Sequence, residues 1–75
     1  MIEFIKNFAD IFDDTDMLEF SPDTIFRDLD EWSSLHALAT LNMIEVKYSV
    51  KLSAEEMMKV KKIQELYELV MSKKQ

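Results

Sequence analysis

Apolar residues recur at helical spacing in four segments of the chain, and they predict four helices. In the first segment the steps between them are four, three and four, so these residues share one face of a helix over residues 2 to about 13. The members of this face are Met1, Ile5, Phe8 and Phe12, with Phe4 and Ile11 beside it. The acidic run Asp13-Asp14-Thr15-Asp16 is expected to end the helix.

A second apolar stripe predicts a helix over residues 34–48. Its members are spaced by three, three, three and four residues, and they are Leu35, Leu38, Leu41, Ile44 and Tyr48, widened by Ala37 and Met43. Ser33 precedes the stripe, and its hydroxyl can accept a hydrogen bond from a free N–H group of the first turn. We therefore expect Ser33 to be the N-cap of this helix.

Two further helices are predicted near the end of the chain. In Ser53-Ala54-Glu55-Glu56 a glutamate follows a serine by three residues, which is the pattern of a capping box. It predicts a short third helix that carries Met57, Met58 and Val60. The fourth helix is predicted over residues 62 to about 73, and its inward residues are Ile63, Leu66, Tyr67, Val70 and Met71.

Residues 14–33 are predicted to form a long loop with a turn at Ser21-Pro22-Asp23. Apolar residues are spread through it, namely Phe20, Ile25, Phe26, Leu29 and Trp32. A loop of this length in a small domain is usually functional or packed by its own side chains, and these residues favour packing across the helices. The chain is thus predicted to be an all-α, four-helix bundle, with a single domain over residues 1–75.

The charge of the chain is unevenly distributed. The net charge is −6, with −8 in residues 1–31 and +2 in residues 32–75. An acidic chain is not expected to bind nucleic acid, because that interaction needs a basic surface. The acidic half could steer basic partners towards the protein, or it could be a solvated loop that maintains solubility.

Composition excludes several kinds of site. The chain contains no cysteine, no glycine and a single histidine, so we expect no disulfide, no metal site and no glycine-rich phosphate loop. A calcium loop would also need a central glycine. No segment is apolar and long enough to cross a bilayer, and no signal-peptide pattern is present, so a cytoplasmic location is expected.

Ser34 is the candidate for covalent chemistry. It stands at the predicted start of the second helix, directly after the acidic stretch Asp28-Leu29-Asp30-Glu31. The free N–H groups and the positive end of the helix dipole favour an anion at this position. Ser34 could therefore carry a phosphate-linked group, or it could be a helix-start serine without chemistry.

The stretches 26–35 and 44–56 resemble the acyl carrier protein family. That family has a long first helix, a long loop, a second helix that opens with Asp-Ser-Leu, a short third helix and a fourth helix. One subgroup has a tryptophan before the triplet, and the matching residues here are Trp32-Ser33-Ser34-Leu35. The resemblance implies a four-helix bundle of acyl-carrier type.

The resemblance also implies a function. Ser34 would receive 4′-phosphopantetheine from coenzyme A through a phosphodiester, and the thiol of that arm would hold an acyl group as a thioester. The protein would not be an enzyme. It would be a discrete monomeric carrier for fatty-acid, lipid or secondary-metabolite biosynthesis, and its partners would be a phosphopantetheinyl transferase and the enzymes that load and transfer the acyl group.

Three departures from the family pattern bear on this function. Ser33 replaces the aspartate that precedes the attachment serine, His36 stands where many members have an acid, and the second helix has few acids beyond Glu45. The partners are therefore expected to be specialised enzymes. The replacement at Ser33 also keeps open an alternative, an unmodified acidic helical adaptor that has a carrier-like fold and acts by binding another protein.

The resemblance assigns two further sets of residues. Candidates for partner recognition are Trp32, Ser33, Leu35, His36, Asn42, Glu45 and Met58. Candidates for an acyl cleft are Leu38, Leu41, Ile44, Met57, Val60, Ile63 and Tyr67, which are expected to line the interior of the bundle. Trp32 could instead anchor the end of the loop, one of the two methionines could simply fill the core, and His36 could be an exposed side chain without a nucleophile or an orienting group beside it.

Overall fold

The computed structural model describes residues 1–74 and contains four helices. They are α1 (Ile2–Ala9), α2 (Ser34–Tyr48), α3 (Ala54–Met58) and α4 (Ile63–Lys73). The long loop between α1 and α2 contains two short 3₁₀ turns, at Met17–Glu19 and Phe26–Asp28. The prediction of an all-α bundle of acyl-carrier type, with a short third helix, is confirmed. No helix within residues 1–74 combines the length and the apolar character needed to cross a membrane.

The first helix is shorter than predicted. It ends at Ala9. The N–H of Asp10 still bonds four residues back, to Lys6 (3.0 Å), but those of Ile11 and Phe12 bond three residues back, to Phe8 (3.2 Å) and Ala9 (3.0 Å). This tighter turn still brings Phe12 into the core. The predicted end near residue 13 is wrong because the chain leaves the helical path to bring the residues after Phe12 to a distant carboxylate, which is described below.

The core is built around the aromatic ring of Phe8. Its centroid lies 5.3 Å from that of Phe12, 5.9 Å from Phe26 and 6.0 Å from Phe20. The other large side chains that are fully buried are Phe4, Ile44, Met57, Ile63, Leu66 and Val70. Aromatic residues from the loop therefore share one core with α1, and this explains how a loop without regular structure holds its place.

The loop is packed as predicted, with one exception. Phe20, Phe26 and Leu29 are buried, but Ile25 is 40% exposed. The backbone on both sides of Ile25 pairs with the start of α4: the N–H of Phe26 donates to the carbonyl of Lys61 (3.2 Å), and the N–H of Ile63 donates to the carbonyl of Thr24 (3.0 Å). The loop is thus joined to α4 by backbone hydrogen bonds as well as by its side chains.

The buried face of α2 differs from the predicted stripe in the first half of the helix. Leu35 and Leu38 are 76% and 62% exposed, whereas Thr40, Met43 and Ile44 are buried. Each residue turns an α-helix by about 100°, so a step of three residues falls about 60° short of a full turn. Three such steps carry the stripe halfway round the helix, from Leu35 on the solvent side to Ile44 in the core. The prediction that Leu38 faces the interior is wrong.

The second helix ends in a left-handed residue. Ser49 has φ 58° and ψ 35°, and its N–H donates to the carbonyl of Glu45 (3.0 Å). Glycine adopts this conformation without the steric cost of a Cβ atom, and it is the usual residue at such a helix end. The chain contains no glycine, so a serine takes this position.

The third and fourth helices begin as predicted, but α3 ends at Met58, so the prediction that it also carries Val60 is wrong. Val60 lies after a turn in which its N–H bonds three residues back, to the carbonyl of Met57 (3.3 Å). Ser53 Oγ accepts from the N–H of Glu56, and the Glu56 carboxylate accepts from the N–H of Ser53, both at 3.0 Å, which completes the capping box. Glu56 also contacts Lys73 Nζ at 2.5 Å and so connects α3 to the end of α4. Of the two methionines of α3, Met57 is buried in the core and Met58 is exposed.

Candidate functional site

Ser34 is the first residue of α2, and it is exposed. The preceding residue, Ser33, has an extended backbone (φ −151°, ψ 176°) and is the N-cap, as predicted. Its carbonyl accepts the first helical hydrogen bond, from the N–H of Ala37 at 3.0 Å. The N–H groups of Ser34 and Leu35 come before that bond, so they have no intrahelical acceptor.

The Ser33 hydroxyl is held by two groups of one residue. Its oxygen accepts from the main-chain N–H of His36 at 3.4 Å, and it lies 2.7 Å from Nδ1 of the same histidine. The first distance is long for an N–H···O hydrogen bond, whereas the second is short. The imidazole ring is therefore the closer partner of the capping hydroxyl.

The His36 ring lies in an aromatic and acidic setting. Its side chain is only 18% exposed, its centroid lies 4.7 Å from the ring of Phe12, and Nε2 lies 3.5 Å from a carboxylate oxygen of Glu31. The expectation of an exposed histidine without neighbouring partners is wrong. The reason is the phase of the helix: positions 36, 40 and 44 recur every four residues, so His36 lies on the same side as buried Thr40 and Ile44.

Glu31 is the residue that joins the two ends of the long loop. Its carboxylate accepts from the hydroxyl of Thr15 (2.7 Å) and from the main-chain N–H groups of Asp13 (2.9 Å) and Asp14 (3.0 Å). The hydrogen bond from Thr15, followed by the one from the N–H of Asp13, lowers the pKa of Glu31 from 4.5 to about 2. Glu31 is thus ionised at neutral pH, and it is not the freely solvated acid that the acidic run of the sequence indicates.

One continuous set of contacts, which we call the cap network, joins Glu31, His36 and Ser33. With its hydrogen on Nε2, the imidazole turns that N–H towards Glu31 at 3.5 Å and accepts the hydroxyl hydrogen of Ser33 through Nδ1. The same three kinds of side chain occur in hydrolytic triads. Here the hydroxyl also caps a helix through the N–H of His36. The network therefore stabilises the first turn of α2, next to Ser34.

Sequence reasoning did not identify Thr15, Glu31 or Thr40 as parts of this region. Thr15 and Glu31 are far apart in the chain, and no local pattern pairs them. Thr40 is fully buried, and its hydroxyl donates to the carbonyl of His36 at 2.7 Å. The spacing of three between Ser33 and His36 was the one available signal, since a side chain at that distance can reach back to the cap.

The electrostatics at the start of α2 fit a phosphodiester. The first turn contains no acidic residue, so the positive end of the helix dipole is not neutralised from within the helix. The one acid of the cap network, Glu31, already accepts three hydrogen bonds from residues 13–15. An anion on Ser34 would therefore meet free N–H donors at this helix end.

The residues predicted for partner recognition are divided between surface and core. Leu35, Asn42, Glu45 and Met58 are exposed, together with Ser33. Trp32 is half-buried and stacks on Phe8 and Phe12 at centroid distances of 6.3 and 6.2 Å, a position that favours the anchoring role. His36, as described, is also largely covered.

The residues predicted for an acyl cleft lie mostly in or against the core. Ile44, Met57 and Ile63 are fully buried, and Leu41, Val60 and Tyr67 are half-buried and pack against the same core. Leu38 is separated from this group by its position on the solvent side of α2. An open cleft of about 370 Å³ lies elsewhere, between α1 and α2, and is lined by Ile11, Met43 and Val46 among others. The acyl cleft stays a prediction.

A small helical protein that presents an exposed serine at the start of its second helix, beside free N–H groups, has the features of a carrier of a phosphate-linked group. A family model described as a phosphopantetheine attachment site matches residues 4–70, and the chain belongs to this family. Members carry 4′-phosphopantetheine, are not themselves enzymes, and interact with a phosphopantetheinyl transferase and with acyl-handling enzymes. Comparison with curated proteins and with solved structures found no match.

Proposed function

We propose that Ser34 is the residue of this chain that carries 4′-phosphopantetheine. The observation that supports this most directly is the position of Ser34: exposed, first in α2, and next to N–H groups that have no helical acceptor. Ser34 lies within the matched residues 4–70. Ser33 already provides the cap, so the Ser34 hydroxyl is free to form the phosphodiester.

The carrier is proposed to hold an acyl intermediate for fatty-acid, lipid or secondary-metabolite biosynthesis, as a cytoplasmic monomer with a single domain. When bound, the prosthetic group supplies a thiol that holds the acyl group as a thioester. The protein's own residues would present that arm: the N–H groups of the first turn of α2 would stabilise the charge of the phosphodiester, and Trp32 fixes the end of the loop that precedes it. The Trp-Asp-Ser-Leu subgroup is the proposed place of this chain in the family.

The proposed docking surface for the partner enzymes is the exposed side of α2 with the tip of α3. It presents Leu35, Leu38, Val46 and Met58, all of which are more than half exposed. Asn42 and Glu45 complete this surface, and Glu45 is its one acid. A surface of this composition suits partners with an apolar contact area better than partners with a strongly basic one, which supports specialised enzymes.

Intact-mass measurement tests the proposed attachment residue. The protein is incubated with coenzyme A and a broad-specificity phosphopantetheinyl transferase, and the mass is compared with that of Ser34→Ala and of the matched control Ser33→Ala. We expect a gain of one phosphopantetheine that Ser34→Ala abolishes and Ser33→Ala retains. The reverse pattern, with modification lost only in Ser33→Ala, would contradict the assignment to Ser34.

A second function is kept because Ser33 stands where the resemblance would place an aspartate. In this alternative the protein is an unmodified acidic adaptor that binds a partner protein. The failure of several transferases to modify the wild-type protein would favour the adaptor. A pull-down with the unmodified protein would then be the next measurement.

A further inference from the structure

We infer that His36 is a positioning residue for the modification of Ser34, and that it acts through the Ser33 hydroxyl. The inference deepens the proposed function and rests on it. The observation that carries it is the double contact between His36 and Ser33, the residue that directly precedes Ser34 in the chain.

Without the imidazole, the Ser33 cap would be weak. The main-chain N–H of His36 lies 3.4 Å from Ser33 Oγ, which is longer than a well-formed N–H···O hydrogen bond. The ring nitrogen Nδ1 lies at 2.7 Å and restrains the same oxygen from the side of the helix. The imidazole thus provides most of the restraint on the capping hydroxyl.

The ring is itself immobilised on several sides. Phe12 lies against its face at a centroid distance of 4.7 Å, and Glu31 faces Nε2 at 3.5 Å. Glu31 is in turn fixed by the Thr15 hydroxyl and by two main-chain N–H groups. The carbonyl of His36 accepts from Thr40, which holds the backbone of the first turn as well. A continuous set of contacts therefore leads from the segment after α1 to the residue before Ser34.

This arrangement matters for a group transfer to Ser34. The serine hydroxyl attacks a phosphate of coenzyme A, and the transferase has to align these two groups. A small misplacement of the reacting oxygen lowers the rate strongly. Ser34 is exposed, so its own side chain has little packing to hold it in place. The backbone of the first turn is then what sets its position, and the cap network restrains that backbone from the Ser33 side.

The test compares His36→Phe with the matched control Tyr48→Phe. Phenylalanine at position 36 can keep the stacking on Phe12 but removes the hydrogen bond of the ring to Ser33 and its polar contact with Glu31. Tyr48 lies at the other end of α2, and its replacement removes one hydrogen bond, from Asn7 (3.2 Å), and keeps an aromatic ring. Each variant is measured for modification by a broad-specificity transferase with coenzyme A, and the Ala37 amide is followed by hydrogen exchange in the unmodified protein.

For His36→Phe we expect kcat to fall about tenfold to a hundredfold, while the KM for the carrier changes little because the docking residues are intact. The Ala37 amide, which donates to the Ser33 carbonyl, should exchange faster. Tyr48→Phe should match the wild type in kcat and in exchange at Ala37. A rise of KM at constant kcat would instead identify His36 as a docking residue and overturn the inference.

A double substitution tests whether His36 acts through Ser33. If it does, His36→Phe should lower kcat much less in a Ser33→Ala background than in the wild type, because the hydroxyl that it holds is already absent. Independent effects that multiply would contradict the inference. If no transferase modifies the wild type, the proposed function fails, and the exchange at Ala37 still decides: equal rates in wild type and His36→Phe would show that the ring does not hold the turn.

Discussion

The hydroxyl of Thr15 donates to the carboxylate of Glu31 at 2.7 Å and so joins the beginning of the long loop to its end. Two main-chain N–H groups next to Thr15 bind the same carboxylate. One ionised side chain thus holds the two ends of the loop together, and further acidic residues of the loop lie between these ends. Glu31 also faces His36, so the closure of the loop and the start of α2 share one residue.

Stability is expected to fall in acid, and Glu31 should contribute to the loss. Its pKa in the folded protein is about 2, below the ordinary value of 4.5. A lowered pKa means that the stabilisation is complete above about pH 4.5 and disappears as the pH falls through about 2. The carboxyl groups of Glu56 and Glu65 act in the same direction, because hydrogen bonds from Lys73 and from the N–H of Lys62, respectively, lower their pKa values.

Thermal unfolding followed by circular dichroism between pH 6 and pH 2 measures this dependence. Glu31→Gln should have a lower Tm at neutral pH and a smaller decrease of Tm with acid than the wild type. The matched control is Asp30→Asn, which changes an exposed neighbouring acid and should follow the wild-type curve. An unchanged slope in Glu31→Gln would show that its carboxylate is not the titrating group.

The rotational phase of α2 predicts very different effects for two leucine-sized residues. Ile44→Ala should destabilise the protein by about 2–5 kcal/mol, because it leaves a cavity at a fully buried position. Leu38→Ala should change the stability by less than about 0.5 kcal/mol, because Leu38 is exposed. Urea unfolding of both variants checks the pair. Comparable losses of stability would mean that Leu38 is buried in solution.

Ser49→Gly should stabilise the protein by about 0.5–1 kcal/mol. Removing the Cβ atom relieves the steric cost of the left-handed conformation. Part of this gain is offset because glycine has more conformational entropy than serine in the unfolded chain. Ser72→Gly is the matched control: Ser72 lies in the last turn of α4, so there the same substitution should destabilise by a similar amount. Chemical unfolding separates the two outcomes, and a loss of stability in Ser49→Gly would contradict the left-handed conformation.

Ser33→Asp is expected to raise the rate of phosphopantetheine transfer several-fold. Aspartate caps a helix at least as well as serine, and its carboxylate can accept from the main-chain N–H of His36 as the Ser33 hydroxyl does. It would also restore the carboxylate that the resemblance places before the attachment serine. Initial rates with a broad-specificity transferase measure the effect, and Ser33→Asn, which caps without a charge, is the control. Equal rates in the wild type and in Ser33→Asp would mean that the replacement of aspartate is neutral for the enzyme.

Features that depend on neighbouring residues could be predicted from the sequence, and features that depend on distant ones could not. The bounds of α2 and the capping box of α3 follow from serines and glutamates within one turn of each other. The early end of α1 depends on Glu31, which lies far from residues 13–15 in the chain. Position 34 could be identified as a helix start, and the spacing of three residues between Ser33 and His36 was the one local signal of what holds the residue before it.

The backbone pairing of Thr24 and Phe26 with the start of α4 divides the long loop into two parts. The first part contains the exposed residues Met17 and Leu18, and the second leads directly to Ser34. Added residues in the first part would enlarge a surface excursion at a small entropic cost, which grows only slowly with length. Evolution can therefore lengthen or shorten the chain near Met17 and Leu18 without moving the serine, whereas the segment after Phe26 has little freedom to vary in length.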